Sequence, residues 1–130
     1  MIEDQLYRQA ILEVAKNPKN RGEIERPDLE ARLVNPLCGD EIKLQLKIQH
    51  PTSKIEEAMF SGNGCAISQA SASLLAEYVV GKSIDEVEKV NSSDILELIG
   101  INPTPARLKC AFLSLDTLRE ALKDDAEGQG

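Results

Sequence analysis

Glu41-Ile42-Lys43-Leu44-Gln45-Leu46-Lys47-Ile48-Gln49 is the stretch that decides the fold. Apolar Ile42, Leu44, Leu46 and Ile48 alternate with charged or amide side chains, the two-residue period of a strand with one buried and one wet face. The turn string His50-Pro51-Thr52-Ser53 follows it, and Lys54 to Ser61, anchored by Ile55 and Phe60, reads as a strand returning antiparallel. Leu29 to Val34 supplies a weaker strand on the N-terminal side. A small three-stranded antiparallel sheet is therefore expected.

Helical patterns surround it. Glu3 to Asn17 repeats Leu6, Tyr7, Ala10, Ile11, Val14 and Ala15 at helical spacing, and the polar string from Asn17 to Gly22 breaks the pattern. Gly62-Asn63-Gly64-Cys65 marks a tight passage from sheet into a second helix, Ala66 to Val80, stopped by Gly81. Its many alanines and serines let neighbours approach closely, so it reads as the central helix. Ser83-Ile84-Asp85-Glu86 has capping-box spacing for a short helix. Asn91-Ser92-Ser93 interrupts it before another brief turn or helix from Asp94 to Ile99, ahead of Gly100. A last helix starts at Pro105, with Thr104 as cap and Leu108, Ala111, Phe112, Leu115, Leu118 and Leu122 as its core stripe. Lys123 to Gly130 is expected to fray. The pattern is α+β, one domain over residues 1–130, with the helix and loop of residues 1–22 as its loosest part.

Composition excludes several functions. A net charge of -7, with no basic stripe, opposes nucleic acid as a partner. Tryptophan is absent and only Tyr7, Tyr78, Phe60 and Phe112 are aromatic, which starves base-stacking readings. No run approaches the roughly 20 apolar residues of a membrane helix, and no secretory signal is visible, so a cytoplasmic protein without membrane contact is expected.

Three cysteines remain: Cys38 in the loop Asn35-Pro36-Leu37-Cys38-Gly39-Asp40, Cys65 at the start of the central helix, and Cys110 in the first turns of the last. An odd number cannot all pair within the chain, and small buried cysteines are commonly structural. Separations of 27 and 45 residues match no paired zinc knuckle, so any site is assembled by folding. Cys65 gains from a helix N-terminus, whose free N–H groups favour negative charge. Cys110 lies about 200° around the helix from Leu108 and Phe112, which points it away from the core stripe. Lys109 and Arg107 flank it as cations able to steady a thiolate or persulfide, or as ordinary solvated charges. Asp40 offers an oxygen of the kind zinc and iron accept, or a turn acceptor after Gly39. Asp40 and Lys109 both fall off the expected core faces. His50, the only histidine, belongs to the hairpin turn and makes a histidine-based hydrolase a weak reading.

Three segments resemble the scaffold proteins of iron-sulfur cluster assembly, the family of the U-type Isc scaffold, its Suf relative and the N-terminal domain of the nitrogen-fixation scaffold. They are Asn35 to Ile42, Gly62 to Ser73, and Pro105-Ala106-Arg107-Leu108-Lys109-Cys110. The resemblance implies one site of Cys38, Asp40, Cys65 and Cys110 for a nascent [2Fe-2S] cluster, iron or zinc. It implies a pyridoxal-phosphate cysteine desulfurase as sulfur donor, Cys38 or Cys110 as persulfide acceptor, and downstream apo iron-sulfur proteins or carriers as recipients. Isc-type scaffolds carry histidine before the third cysteine, whereas Lys109 stands here, as in Suf-type members. The extra segment of Suf-type proteins between the second and third cysteines is nevertheless absent. Pro103-Thr104-Pro105-Ala106-Arg107 replaces the Leu-Pro-Pro-Val-Lys run of Isc scaffolds, which argues against docking of the dedicated Hsp70. The resemblance leaves a zinc-dependent sulfurtransferase and a structural zinc interaction module as rival readings.

Overall fold

The computed structural model describes residues 2–36, 39–100 and 103–129. Its elements run α1 (Ile2–Lys16), β1 (Leu29–Asn35), β2 (Asp40–Gln49), β3 (Lys54–Ser61), α2 (Ala66–Val79), α3 (Ile84–Glu88), α4 (Ser92–Ile99) and α5 (Pro105–Gln129). The strands form an antiparallel sheet in the order β1-β2-β3. Leu33 faces Ile42 across β1 and β2, and Leu44 faces Phe60 across β2 and β3. The α+β architecture of a small sheet packed on helices is as expected.

Alternation in β2 is realised, with Ile42, Leu44, Leu46 and Ile48 buried in one cluster with Phe60, Leu75, Val79 and Leu118. Burying each large side chain of this kind contributes about 1.5–3 kcal/mol, so this face dominates the sheet's stability. Gln45 departs from the expected wet face and is buried. The segment before β1 crosses over it: the Ile24 N–H donates to Gln45 Oε1 at 2.7 Å, and Gln45 Nε2 donates to Glu30 at 3.2 Å. On the exposed side of the sheet, the bond to Glu41 raises the Arg32 guanidinium, and the Glu41 carboxyl is lowered by that same bond.

The central helix α2 is covered on nearly every side. Ser68, Ala70, Ser71, Ala72, Ser73, Ala76 and Val79 are all buried, because small side chains let α1, α4, α5 and β3 close in together. Ser71 donates to the Ala111 carbonyl of α5 at 2.6 Å, so the polar atom that close packing buries is satisfied. A second cluster joins Ile11 of α1 to Ala70, Ile99 and Ala111. Ala10, expected on the apolar stripe of α1, is exposed.

The helix α4 starts two residues earlier than expected, at Ser92: the Asn91 side chain accepts from the Asp94 N–H, and the Asp94 carboxylate accepts from the Asn91 N–H. The helix α5 runs from Pro105 to Gln129, with Ala121 and Leu122 buried near its C-terminal end.

At α3 the Ser83–Glu86 capping box forms as its spacing predicts. Bonds from the Ser83 backbone N–H and then its hydroxyl hold the Glu86 carboxyl below the usual range. That contribution is complete above the ordinary glutamate range and is lost as pH falls through the lowered value. Ser83→Ala is expected to cost about 1 kcal/mol, the ordinary worth of an N-cap. A fall in the urea midpoint at unchanged slope checks it, and an unchanged midpoint would refute it.

Candidate metal centre

The site begins with a sharp return of the chain. Gly39 takes φ +74 with open space around its missing side chain, so it serves backbone conformation and not clearance. Asp40 then starts β2 opposite Asn35 and is 4% exposed, a buried strand residue instead of a turn acceptor off the core. Gly62 (φ +123) and Gly64 bring the β3–α2 connection against it. A Cβ on Gly64 would lie 2.3 Å from Ser68 Oγ and 3.0 Å from the Asp40 carboxyl carbon, so only glycine leaves room for the carboxylate.

Cys65 is the N-cap of α2 but makes no side-chain cap bond. Asp40 caps the helix in its place, Oδ1 accepting from the Cys65 N–H at 3.2 Å. This suits the partial positive charge of a helix N-terminus. The other oxygen, Oδ2, is 3.5 Å from Cys65 Sγ, and Ser68 Oγ stands 3.9 Å from the same sulfur.

Cys110 completes the group. It points away from the apolar stripe of α5, as its helical angle implies, and is buried, at 3% exposure. The helix α5 packs on the sheet with one flank and on α2 with another, so a side chain opposite the main stripe is covered too. One ligand atom each from Asp40, Cys65 and Cys110 lies within 4.8 Å of the others. Tetrahedral bonds of about 2.0–2.3 Å put ligand atoms about 3.3–3.8 Å apart, so a small contraction turns this trio into a coordination shell. Two sulfurs and a carboxylate fit zinc or iron and are a poor match for magnesium or calcium. The chain therefore has a Cys/Cys/Asp metal-binding site of the kind that suits an iron-sulfur cluster.

The remaining predicted residues divide. Cys38 lies outside the described residues. Lys109 and Arg107 are exposed on the first turns of α5, and Lys109 borders a groove of about 430 Å³ together with Val34, Asn35, Pro36 and Phe112. His50 follows the far end of β2, about 30 Å along the strand from Asp40 at the rise of extended chain. It belongs to a different cavity, with Ser83, Asp85 and Glu88. Sequence reasoning missed Gly64 and Ser68 as walls of the site, although Gly62-Asn63-Gly64-Cys65 carried the signal of a close approach.

Comparison with known proteins decides the family. The NifU-like N-terminal domain matches residues 6–128. The chain belongs to this family of iron-sulfur cluster assembly scaffolds. Family relatives include the zinc-dependent sulfurtransferase SufU of Bacillus subtilis, 34% identical over 96% of this chain and 95% of the relative. The iron-sulfur cluster assembly scaffold protein IscU of Thermotoga maritima is 35% identical over 95% and 96% of the two chains. The crystal structure of FiSufU from Fervidobacterium islandicum AW-1 shares the fold, with a TM-score of 0.74 and 30% identity over 86% of this chain and 93% of that one. Among the described residues no helix is long and apolar enough to cross a membrane.

Proposed function

We propose that residues 1–130 act as one domain that accepts sulfur from a cysteine desulfurase, gathers iron, and holds a nascent [2Fe-2S] cluster for delivery to apo iron-sulfur proteins. The convergence of Asp40, Cys65 and Cys110 within 4.8 Å carries this reading. Cys38 is the fourth ligand, and a reducing cytoplasm suits thiolates that must stay unpaired.

Sulfur enters by thiol exchange. A thiolate of this chain attacks the terminal sulfur of the donor's persulfide, the donor's S–S bond breaks, and its cysteine leaves as a thiolate. Burial of Cys110 disfavours it as the first acceptor and leaves that role to Cys38. Lys109 and Arg107 hold positive charge beside the helix turn that carries Cys110, where they offset the charge of arriving persulfide or sulfide. Asp40 keeps the α2 N-terminus in place and supplies the one hard ligand, the corner from which cargo is released.

Zinc-dependent sulfur relay is the second reading, favoured by the donor set and by likeness to the Bacillus subtilis protein. In it the same four residues hold zinc, and one thiolate is displaced to receive sulfur.

Anaerobic purification with assay of iron, zinc and labile sulfide, followed by desulfurase, cysteine, ferrous iron and dithiothreitol as the reductant that takes persulfide sulfur to sulfide, separates the two. Cluster absorption that moves to an apo-ferredoxin is the expected result; retained zinc with persulfide transfer and no cluster would select the relay. Cys38→Ser, Cys65→Ser and Cys110→Ser should each lower metal binding or sulfur acceptance, and three variants indistinguishable from the parent would overturn both readings.

A further inference from the structure

The cysteine-bearing turn is tied from a direction that the metal-binding residues do not explain. Arg21, in the segment between α1 and β1, sends Nη1 to Gln69 Oε1 at 2.7 Å and Nη2 to the Gly62 carbonyl at 3.2 Å. Gly62 stands three residues before Cys65 and Gln69 four residues after it, one turn into α2, where its N–H donates to the Cys65 carbonyl at 3.0 Å. The guanidinium fork thus spans both sides of the segment that presents Cys65.

The base of this fork is itself fixed. The Gly22 N–H donates to the Phe60 carbonyl, and the Phe60 N–H donates to the Asn20 carbonyl, both at 2.9 Å, so Arg21 sits against the edge of β3. Asn20 Nδ2 reaches the Ala58 carbonyl at 3.1 Å, and Ser73 of α2 donates to the Lys19 carbonyl at 2.7 Å. An exposed arginine on a free loop gains little by ordering its side chain, but this one is held at its backbone and spends that order on two groups of one turn.

Gln69 shows the cost of the arrangement. Its side chain is buried, and Nε2 has no hydrogen-bond partner among the described residues. Arg21 dictates which way the amide faces, since only Oε1 can accept. A buried donor left unpaired costs about as much as a bond from a charged group returns, so the pairing adds little stability at Gln69 itself. Its effect falls on the turn to Cys65, which the fork holds from both sides.

We propose that Arg21 is a positioning residue, setting Cys65 against Asp40 through its simultaneous grip on Gly62 and Gln69. The inference rests on the reading of Cys65 as a metal ligand. Lysine keeps the charge but cannot make the planar two-point contact, so Arg21→Lys separates geometry from charge, and Arg21→Gln removes both.

The test is Co(II) titration of the full chain, followed by the thiolate-to-cobalt absorption, with the rate of Cys65 alkylation by iodoacetamide in metal-free protein resolved by peptide mass spectrometry. Both variants should bind Co(II) about tenfold more weakly, the usual loss when a residue supporting a metal ligand is removed. Cys65 should also be alkylated faster, with the melting temperature close to the parent's. Parent-like affinity and alkylation in Arg21→Gln would overturn the proposal, and full rescue by lysine would overturn the role of the fork. Cys65→Ser in the same titration isolates the underlying reading: if it leaves cobalt binding and its charge-transfer band intact, Cys65 is not a ligand, whatever the Arg21 variants do.

Discussion

Gly62→Ala should lower the melting temperature of this protein by roughly 10–20 °C, an effect of about 3–5 kcal/mol. A Cβ built at Gly62 falls 2.1 Å from the Glu41 carbonyl oxygen and 3.2 Å from the Ile42 Cα, and both obstacles are backbone atoms of the central strand. Neither can rotate aside. The conformation compounds the clash, because φ +123 is strained for any L side chain. Relief requires β3 and the turn to Cys65 to move away from β2, which also pulls on the Glu41 N–H bond to the Asn63 carbonyl, 2.7 Å long. Gly39→Ala is the matched control: it shares a positive φ, +74, but meets nothing within 4 Å, so it should cost only the backbone strain of about 1–3 kcal/mol. Differential scanning calorimetry of the pair decides the matter. Equal melting temperatures would mean that the close approach at Gly62 is not real.

The contrast between these glycines marks the limit of what could be read in advance. Strand β2 was legible because its two-residue period is a local property, and the same holds for the Ser83 capping box and the small-residue pattern of α2. Gln45 was misread for a reason that periodicity cannot contain: the chain returns some twenty residues earlier in sequence to cover it, through Ile24. The direction of Cys110 was legible from its helical angle, but its burial was not, because α5 is covered on two sides. For the site, residue types and order were enough to pick out Asp40, Cys65 and Cys110, and family resemblance supplied their meeting. The support of Arg21 for Gln69 joins residues 48 apart with no local mark on either. Long-range contacts between polar side chains have no period, so only the folded chain displays them.

Asp40 is where both kinds of information meet, and Asp40→Ala should have two separable consequences. The first is structural. Off the core faces, as sequence alone suggested, its loss would hardly affect folding. Buried, and bonded through Oδ1 to the Cys65 N–H, the carboxylate instead serves as the cap of a 14-residue helix. Losing it should cost about 1–2 kcal/mol. Asp40→Asn keeps an oxygen in the same place and should lose less. The second consequence concerns cargo. Under the proposed scaffold function the carboxylate is the exchangeable corner that an acceptor's ligand displaces; with it removed or neutralised, both variants should hold a reconstituted [2Fe-2S] cluster longer and pass it to an apo-ferredoxin about tenfold more slowly. Asn is the decisive variant, since slower transfer at a nearly unchanged melting temperature cannot be blamed on a loosened helix. Circular dichroism of the transferred cluster measures the rate. If Asp40→Asn delivers at the parent's rate, the carboxylate does not gate release, and its place beside Cys65 is explained by the helix cap alone.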